Sequence, residues 1–273
     1  MSHTLCPDSS LRPDLWVCHL GRVPYLNAVR AQERIRAARQ TGELADTLLL
    51  LEHPPVYTLG RRAGAGELPL GEDFYRDRGI EVLDSDRGGR ITYHGPGQLV
   101  GYPIMAIGDV GHFVRTMEAA IVGALADEGI AAHARPQDGP GYTGVWVGER
   151  KIASIGVHIQ RGVSTHGFAV NVTTDLEPFK WVIACGLPGV SMTSLACELA
   201  RRGAPDDTGP SRQLQCFRRR MAEHFCRVHG RRQRLVSERR LGIDRLLAHP
   251  PSAEPAPRRA PGAAGVAAGE ATL

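Results

Sequence analysis

The sequence predicts an α+β fold: a single domain with a mixed or antiparallel sheet and flanking helices. Two observations carry this. Apolar runs at Val145-Trp146-Val147 and from Lys151 to Ile159 stand on either side of a short glycine-containing turn, Gly148-Glu149-Arg150, and read as a β-hairpin. Stretches with helical spacing of apolar residues, at 112–128 and 211–229, interrupt the extended segments.

The elements follow in order. Residues 1–14 are polar and read as loose. Pro24 suits a first helical turn, and Leu26, Val29 and Ile35 give one face to a helix reaching about Gln40, which Gly42 ends. Thr47-Leu48-Leu49-Leu50-Leu51 reads as a buried strand. The stretch from Pro54 to Leu70 is loop except for Val56-Tyr57-Thr58-Leu59, and Ile80-Glu81-Val82-Leu83 and Leu99 to Ile104 are extended. From His112 to Glu128, Phe113, Met117, Ala120, Ile121, Ala124 and Leu125 recur at helical spacing, with Gly129 closing the helix. Met117 is assigned to the core. His166 to Val172 gives a third strand beside the hairpin, and Leu214, Phe217, Met221, Phe225 and Val228 mark the last long helix. We divide the chain into a loose 1–14, a domain over 15–235 and an extension over 236–273. From Pro250 that extension is rich in Pro, Ala and Gly and reads as disordered.

Composition excludes several classes. Hydrophobic residues are 42% and charged residues 23%, ordinary for a globular protein. The net charge of +4 is concentrated late, in Arg218-Arg219-Arg220, Arg231-Arg232 and Arg239-Arg240, without interleaved aromatics. This favours a patch for an acidic protein over nucleic acid. No apolar run reaches the ~18 residues of a membrane span, and no signal-peptide core opens the chain. Six cysteines form no C-x-x-C pair, so reduced thiols in a cytoplasmic protein are expected, with no metal. His224, Cys226 and His229 would point to different helix faces.

Asp138-Gly139-Pro140-Gly141-Tyr142-Thr143-Gly144 contains G-x-G-x-x-G, but prolines precede it and a strand follows, the wrong context for a dinucleotide. No Walker-type loop and no G-x-S-x-G elbow occurs. Arg87-Gly88-Gly89-Arg90-Ile91-Thr92-Tyr93-His94-Gly95-Pro96-Gly97-Gln98 fits either a long surface turn or one wall of a binding pocket, since glycines let backbone approach a ligand closely. Lys151 and Cys185 stand in segments poor in other reactive groups. A free thiol is only about 3% thiolate at pH 7, and a neighbouring ammonium lowers its pKa by a unit or more. Paired, the two suit acyl transfer through a thioester. Unpaired, they are a small buried residue and a solvated lysine.

Four segments in order then carry a resemblance: Arg87 to Gln98, Lys151-Ile152-Ala153-Ser154-Ile155-Gly156, His166-Gly167-Phe168-Ala169-Val170-Asn171 and Ala184-Cys185-Gly186-Leu187. Over roughly residues 15–230 the chain resembles the octanoyltransferases of lipoic acid synthesis. The resemblance implies the fold of biotin and lipoate protein ligases, Cys185 as acyl-thioester nucleophile and Lys151 as the lysine that lowers its pKa. It implies further that Arg87, Gly88, Gly89, Arg90, Ile91, Thr92, Tyr93 and His94 surround the acyl substrate. Ser154, Ile155 and Gly156, with Gly167, Phe168 and Ala169, do the same. The implied donor is octanoyl-acyl carrier protein. The implied acceptors are the lipoyl domains of 2-oxo acid dehydrogenase complexes and the glycine cleavage H protein. Thioester-to-amide transfer is downhill, so no cofactor is expected. Ala184 departs from the proline expected before the cysteine. The rival readings are an ATP-dependent ligase on the same fold and a catalytically idle relative that only binds.

Overall fold

The computed structural model describes residues 12–183, 189–204 and 209–248. Cys185, with its neighbours Ala184, Gly186 and Leu187, and the Pro/Ala-rich segment from Pro250 lie outside the described residues. Asp14–Arg22 forms β1, Tyr25–Gln40 α1, Thr47–Glu52 β2 and Val56–Leu59 β3. A short α2 (Glu72–Arg76) leads to β4 (Glu81–Asp84), β5 (Ile91–His94) and β6 (Gln98–Ile104). Then come α3 (Val110–Ala126), β7 (His133–Ala134), the hairpin of β8 (Gly144–Val147) and β9 (Arg150–Gln160), and β10 (Val163–Asn171). β11 (Ser191–Met192), α4 (Leu195–Arg201), α5 (Pro210–Val228), β12 (Arg232–Leu235), α6 (Glu238–Leu241) and α7 (Asp244–Ala248) complete the described chain.

The main sheet runs β12-β1-β2-β6-β10-β9-β8-β7, with β11 added beside β9. β12, β1 and β2 are mutually parallel, and each neighbouring pair from β2 to β7 is antiparallel. The expected mixed α+β sheet is what forms. Side chains alternate between faces along a strand. In β2 this sends Leu48 and Leu50 into a core shared with α3 and α5, and Leu49 and Leu51 into one shared with α1. Both faces are covered, which is why β2 reads as an unbroken apolar run. Each such leucine contributes about 2 kcal/mol by leaving water. Met117 lies fully buried in the first core.

A second sheet of β4-β3-β5 packs its Tyr57, Ile91 and Tyr93 against Phe179 and Val182. Between the two sheets lies the site.

The helix ends follow local chemistry. Asp109 caps α3 by accepting the His112 N–H, and Pro210 occupies the first turn of α5. One expectation for α1 needs correction. Its buried face is Tyr25, Ala28, Ala31, Ile35 and Ala38, whereas Leu26 and Val29 are only half-buried. Small alanines let this helix lie close on the sheet, so its contact face is not its bulkiest one. β1 and β12 are strands that the sequence pattern did not disclose. Beyond residue 235, Leu241 and Ile243 are buried against α1 and β1 residues. No helix among the described residues is long and apolar enough to cross a membrane.

Candidate active site

A cavity of about 330 Å³ opens between the sheets. β9 and β10 supply one wall, with Lys151, Ser154, Ile155 and Gly156 from the first and Gly167, Phe168 and Ala169 from the second. The segment ending in β5 supplies the facing wall through Arg87, Gly89, Arg90, Ile91, Thr92 and His94. Three segments far apart in the sequence therefore meet around one space. Two members stand apart from the lining. Tyr93 turns away to pack on Tyr57 and Phe179. Gly88 acts through its backbone, donating its N–H to Val157 O at 2.9 Å. Its carbonyl sits so close to β9 that a Cβ on Gly156 would lie 2.7 Å from it. Only glycine at 156 lets the two walls meet.

The walls are held by one hydrogen-bonded chain. Arg87 is buried and donates to the Thr58 hydroxyl and carbonyl. Thr58 faces His94 Nε2 at 3.4 Å, and His94 Nδ1 lies 2.7 Å from Gln98 Oε1. Gln98 donates to Asn171 Oδ1, and Asn171 to the Thr193 carbonyl. Thr193 N–H closes the run on the Lys151 carbonyl at 2.9 Å. Burial, with the charges of His53 and Arg87 added, holds the His94 imidazole well below its usual pKa. His94 is thus a neutral member of the wall.

Lys151 is 2% exposed, and its Nζ lies 5.3 Å from the centre of the Trp146 ring. Two local features aim it. The pairing of β8 with β9 shifts register between Val145 and Trp146, which face Ala153 and Lys151, so Ile152 is the extra residue of a bulge in β9 beside Lys151. Bulges re-aim side chains and recur beside active sites. Gly144, at φ +132°, leaves space that a Cβ would take from Lys151 Cε, 2.9 Å away. β11 pairs in parallel with β9 at Ser191 to Arg150 and Met192 to Lys151, continuing the sheet where the pairing of β10 with β9 stops at Ala153.

The two described flanks of the Cys185 segment are both anchored to this site. On one side Ile183 N–H donates to the Glu67 carbonyl. The Glu67 carboxylate in turn holds Arg90 at 2.6 Å and the Ile91 N–H at 3.0 Å. On the other side is β11, beside Lys151.

Besides His166, which opens the third resemblance segment, the cavity is also lined by residues that had no motif to announce them: Tyr25, Arg62 and Tyr102, with Pro140, Gly141 and Thr143 from the false dinucleotide match. That match is two short 3-10 turns running into β8, with no helix after it. Beneath Tyr25 and Tyr102 lies fully buried His53, whose Nδ1–H donates to the Val23 carbonyl at 2.6 Å. Its Nε2 therefore accepts from Tyr102 at 2.7 Å. His158 and His166 both donate to Asp86, at 2.6 Å each. Burial alone would raise the Asp86 carboxyl, but these two hydrogen bonds hold it far below the usual carboxylate range. His166 has φ +57°, uncommon for a non-glycine residue, and its N–H is fixed by Gln32 Oε1 at 2.6 Å.

Burial lowers the His53 pKa to about 4. A histidine whose folded pKa lies below its unfolded value near 6.5 stabilises the fold fully above pH 6.5, and that share is lost as pH falls towards about 4. Between pH 7 and about pH 4.5 the His53 share is about 2 kcal/mol. Guanidinium unfolding of His53→Gln should lose that much less stability over this interval than the wild type. Parallel losses in the two proteins would place the titration elsewhere.

Comparison with known proteins shows the family. The family described as the lipoyl protein ligase A/B catalytic domain matches residues 24–225. An octanoyltransferase of Solibacter usitatus is 46% identical over 215 residues, covering 77% of this chain and 90% of that one. Another, from Caldicellulosiruptor saccharolyticus, is 41% identical and covers 81% and 92%. Among solved structures, a lipoate-protein ligase A bound with ATP superposes with a TM-score of 0.63 over 86% of this chain and 93% of that one. At 17% identity that likeness speaks to the fold alone. With its fold, its cavity and these relatives in agreement, the chain belongs to the octanoyltransferases of the lipoyl protein ligase A/B family.

Proposed function

We propose that the protein moves an octanoyl group from octanoyl-acyl carrier protein to a lysine of a lipoyl domain through a thioester on Cys185. The observation that carries this reading is Lys151, an amine almost wholly buried yet lining the cavity, with β11 beside it. The chain has 33 basic residues, of which only Lys151 and Lys180 are lysine. Lys180 is exposed and paired with Glu177 at 2.6 Å. Arginine serves for charge almost everywhere else. What lysine offers beyond charge is a proton that it can lose.

The reaction balances around that proton. The Cys185 thiolate attacks the carbonyl carbon of the donor thioester, forming a C–S bond, and the carrier's phosphopantetheine sulfur leaves as thiolate. The Lys151 ammonium gives its proton to that leaving sulfur and becomes the free amine. In the second half the acceptor lysine amine attacks the enzyme thioester, the amide forms and the Cys185 thiolate departs. Lys151 takes the proton shed by the attacking nitrogen, which restores the starting pair. Ile183, two residues before Cys185 in the sequence, is anchored to the Glu67 carbonyl. The apolar faces of Ile91, Val100, Phe168 and Ala169 suit an alkyl chain.

Incubation with octanoyl-acyl carrier protein, without ATP, should give one octanoyl adduct by intact-protein mass spectrometry. Adding a lipoyl domain should discharge it onto the domain. An adduct that forms only with free octanoate and ATP would replace this reading with a ligase.

A further inference from the structure

α3 carries one acidic residue on its apolar face. Glu118 is 1% exposed, between Met117 and the Ala120-Ile121 pair that pack in the core. Its Oε1 accepts the Gly144 N–H at 2.9 Å. Gly144 is the residue whose missing side chain leaves room for Lys151 Cε. The Glu118 Oε2 lies 2.8 Å from Arg115 Nη1, in contact but not aligned as a hydrogen bond. Arg115 is 39% exposed, so solvent screens much of its charge. Burial of this kind is costly for a carboxylate and equally costly for the ammonium of Lys151, unless each lies in the field of the other.

We propose that Glu118 is the positioning residue of Lys151. Its carboxylate fixes the Gly144 backbone against the lysine stem, and its charge, with the Trp146 face, offsets the burial of the amine-bearing end. Burial raises the Glu118 carboxyl, and the Gly144 N–H, Arg115 and Lys151 oppose that rise, so the two groups sense each other's charge. The other charges facing this corner are few. Arg135 packs 5.0 Å from the Trp146 ring and is paired with Asp138 and Glu149. α5 brings His224, which is engaged by Asp127, the C-terminal cap of α3. The proposal rests on the role given to Lys151 above.

The chain's own composition supplies the test. With two lysines, a protein labelled with 13C at the lysine ε carbon gives two signals, and Lys180→Arg assigns them. In Glu118→Gln the carboxamide oxygen still accepts the Gly144 N–H, but the charge is gone. The Lys151 titration midpoint should fall by about half a unit or more, while that of Lys180 stays put. In the wild type, moreover, the Lys151 signal should take a second, smaller step at acid pH as Glu118 protonates. That reading requires no variant to fold. Unmoved Lys151 midpoints in Glu118→Gln, or a wild-type signal without the acid step, would overturn the proposal. Neither result depends on turnover. Failure of the catalytic reading itself would show separately, as full transfer by Lys151→Met.

Discussion

Cys185→Ala should form no octanoyl adduct and transfer at least about 10³-fold more slowly than the wild type, because removing the nucleophile of a covalent pathway removes the pathway. Cys185→Ser should behave alike, since a hydroxyl stays protonated where a thiol ionises. Among the other described cysteines, two are disabled by burial. Burial pushes the Cys18 thiol up to about 12 and the Cys226 thiol up to about 11, so neither supplies thiolate at neutral pH. Cys197 is half-buried at the start of α4, where its N–H is taken by the Ser194 cap. Cys197→Ala should keep both adduct and rate. A hydroxylamine-labile octanoyl group on Cys185→Ala would overturn the assignment.

The second large effect separates the charge of Lys151 from its proton. Lys151→Met removes both, and the alkylation midpoint of Cys185 should rise by at least about one unit. Lys151→Arg keeps a positive charge that cannot be shed near neutral pH. Its thiol should alkylate with a midpoint close to that of the wild type. Transfer should nonetheless drop by about 10²-fold or more in both variants, the usual worth of a positioned acid–base group. Superimposable alkylation profiles for wild type and Lys151→Met would mean that this amine does not tune the thiol. Full transfer by Lys151→Arg would mean that no proton passes through it. Circular dichroism should accompany both, since a guanidinium must fit where an ammonium is buried.

Much of this architecture was legible, and the gaps have physical causes. α3 and α5 announce themselves because each packs one bulky apolar stripe on a single core. The β8–β9 hairpin is local, so Gly148 and the apolar runs beside it suffice to mark it. β1 pairs in parallel with β2 and β12, and β12 is Arg-Gln-Arg-Leu at a sheet edge. Its register is set by a partner more than 200 residues away, which no local period can encode. In the candidate site the glycine-rich segments stood out, since close backbone approach leaves a compositional trace. Tyr25, His53 and Tyr102 left none: each is a single residue, on α1, just after β2 and on β6. Two signals were present but unread. Glu118 interrupts an apolar stripe, and the chain nearly lacks lysine.

That scarcity has a consequence under the proposed reaction, whose acceptor is an amine. A reactive thioester does not discriminate well among unprotonated amines that can reach it, and every surface lysine is a bystander competing with the intended acceptor. Guanidinium groups remain protonated and do not take acyl groups at neutral pH. By drawing its basic surface from arginine, the protein can be cationic without being its own substrate. Among side chains, Lys180 is the one exposed amine left to compete, and Glu177 holds it in the protonated, unreactive form.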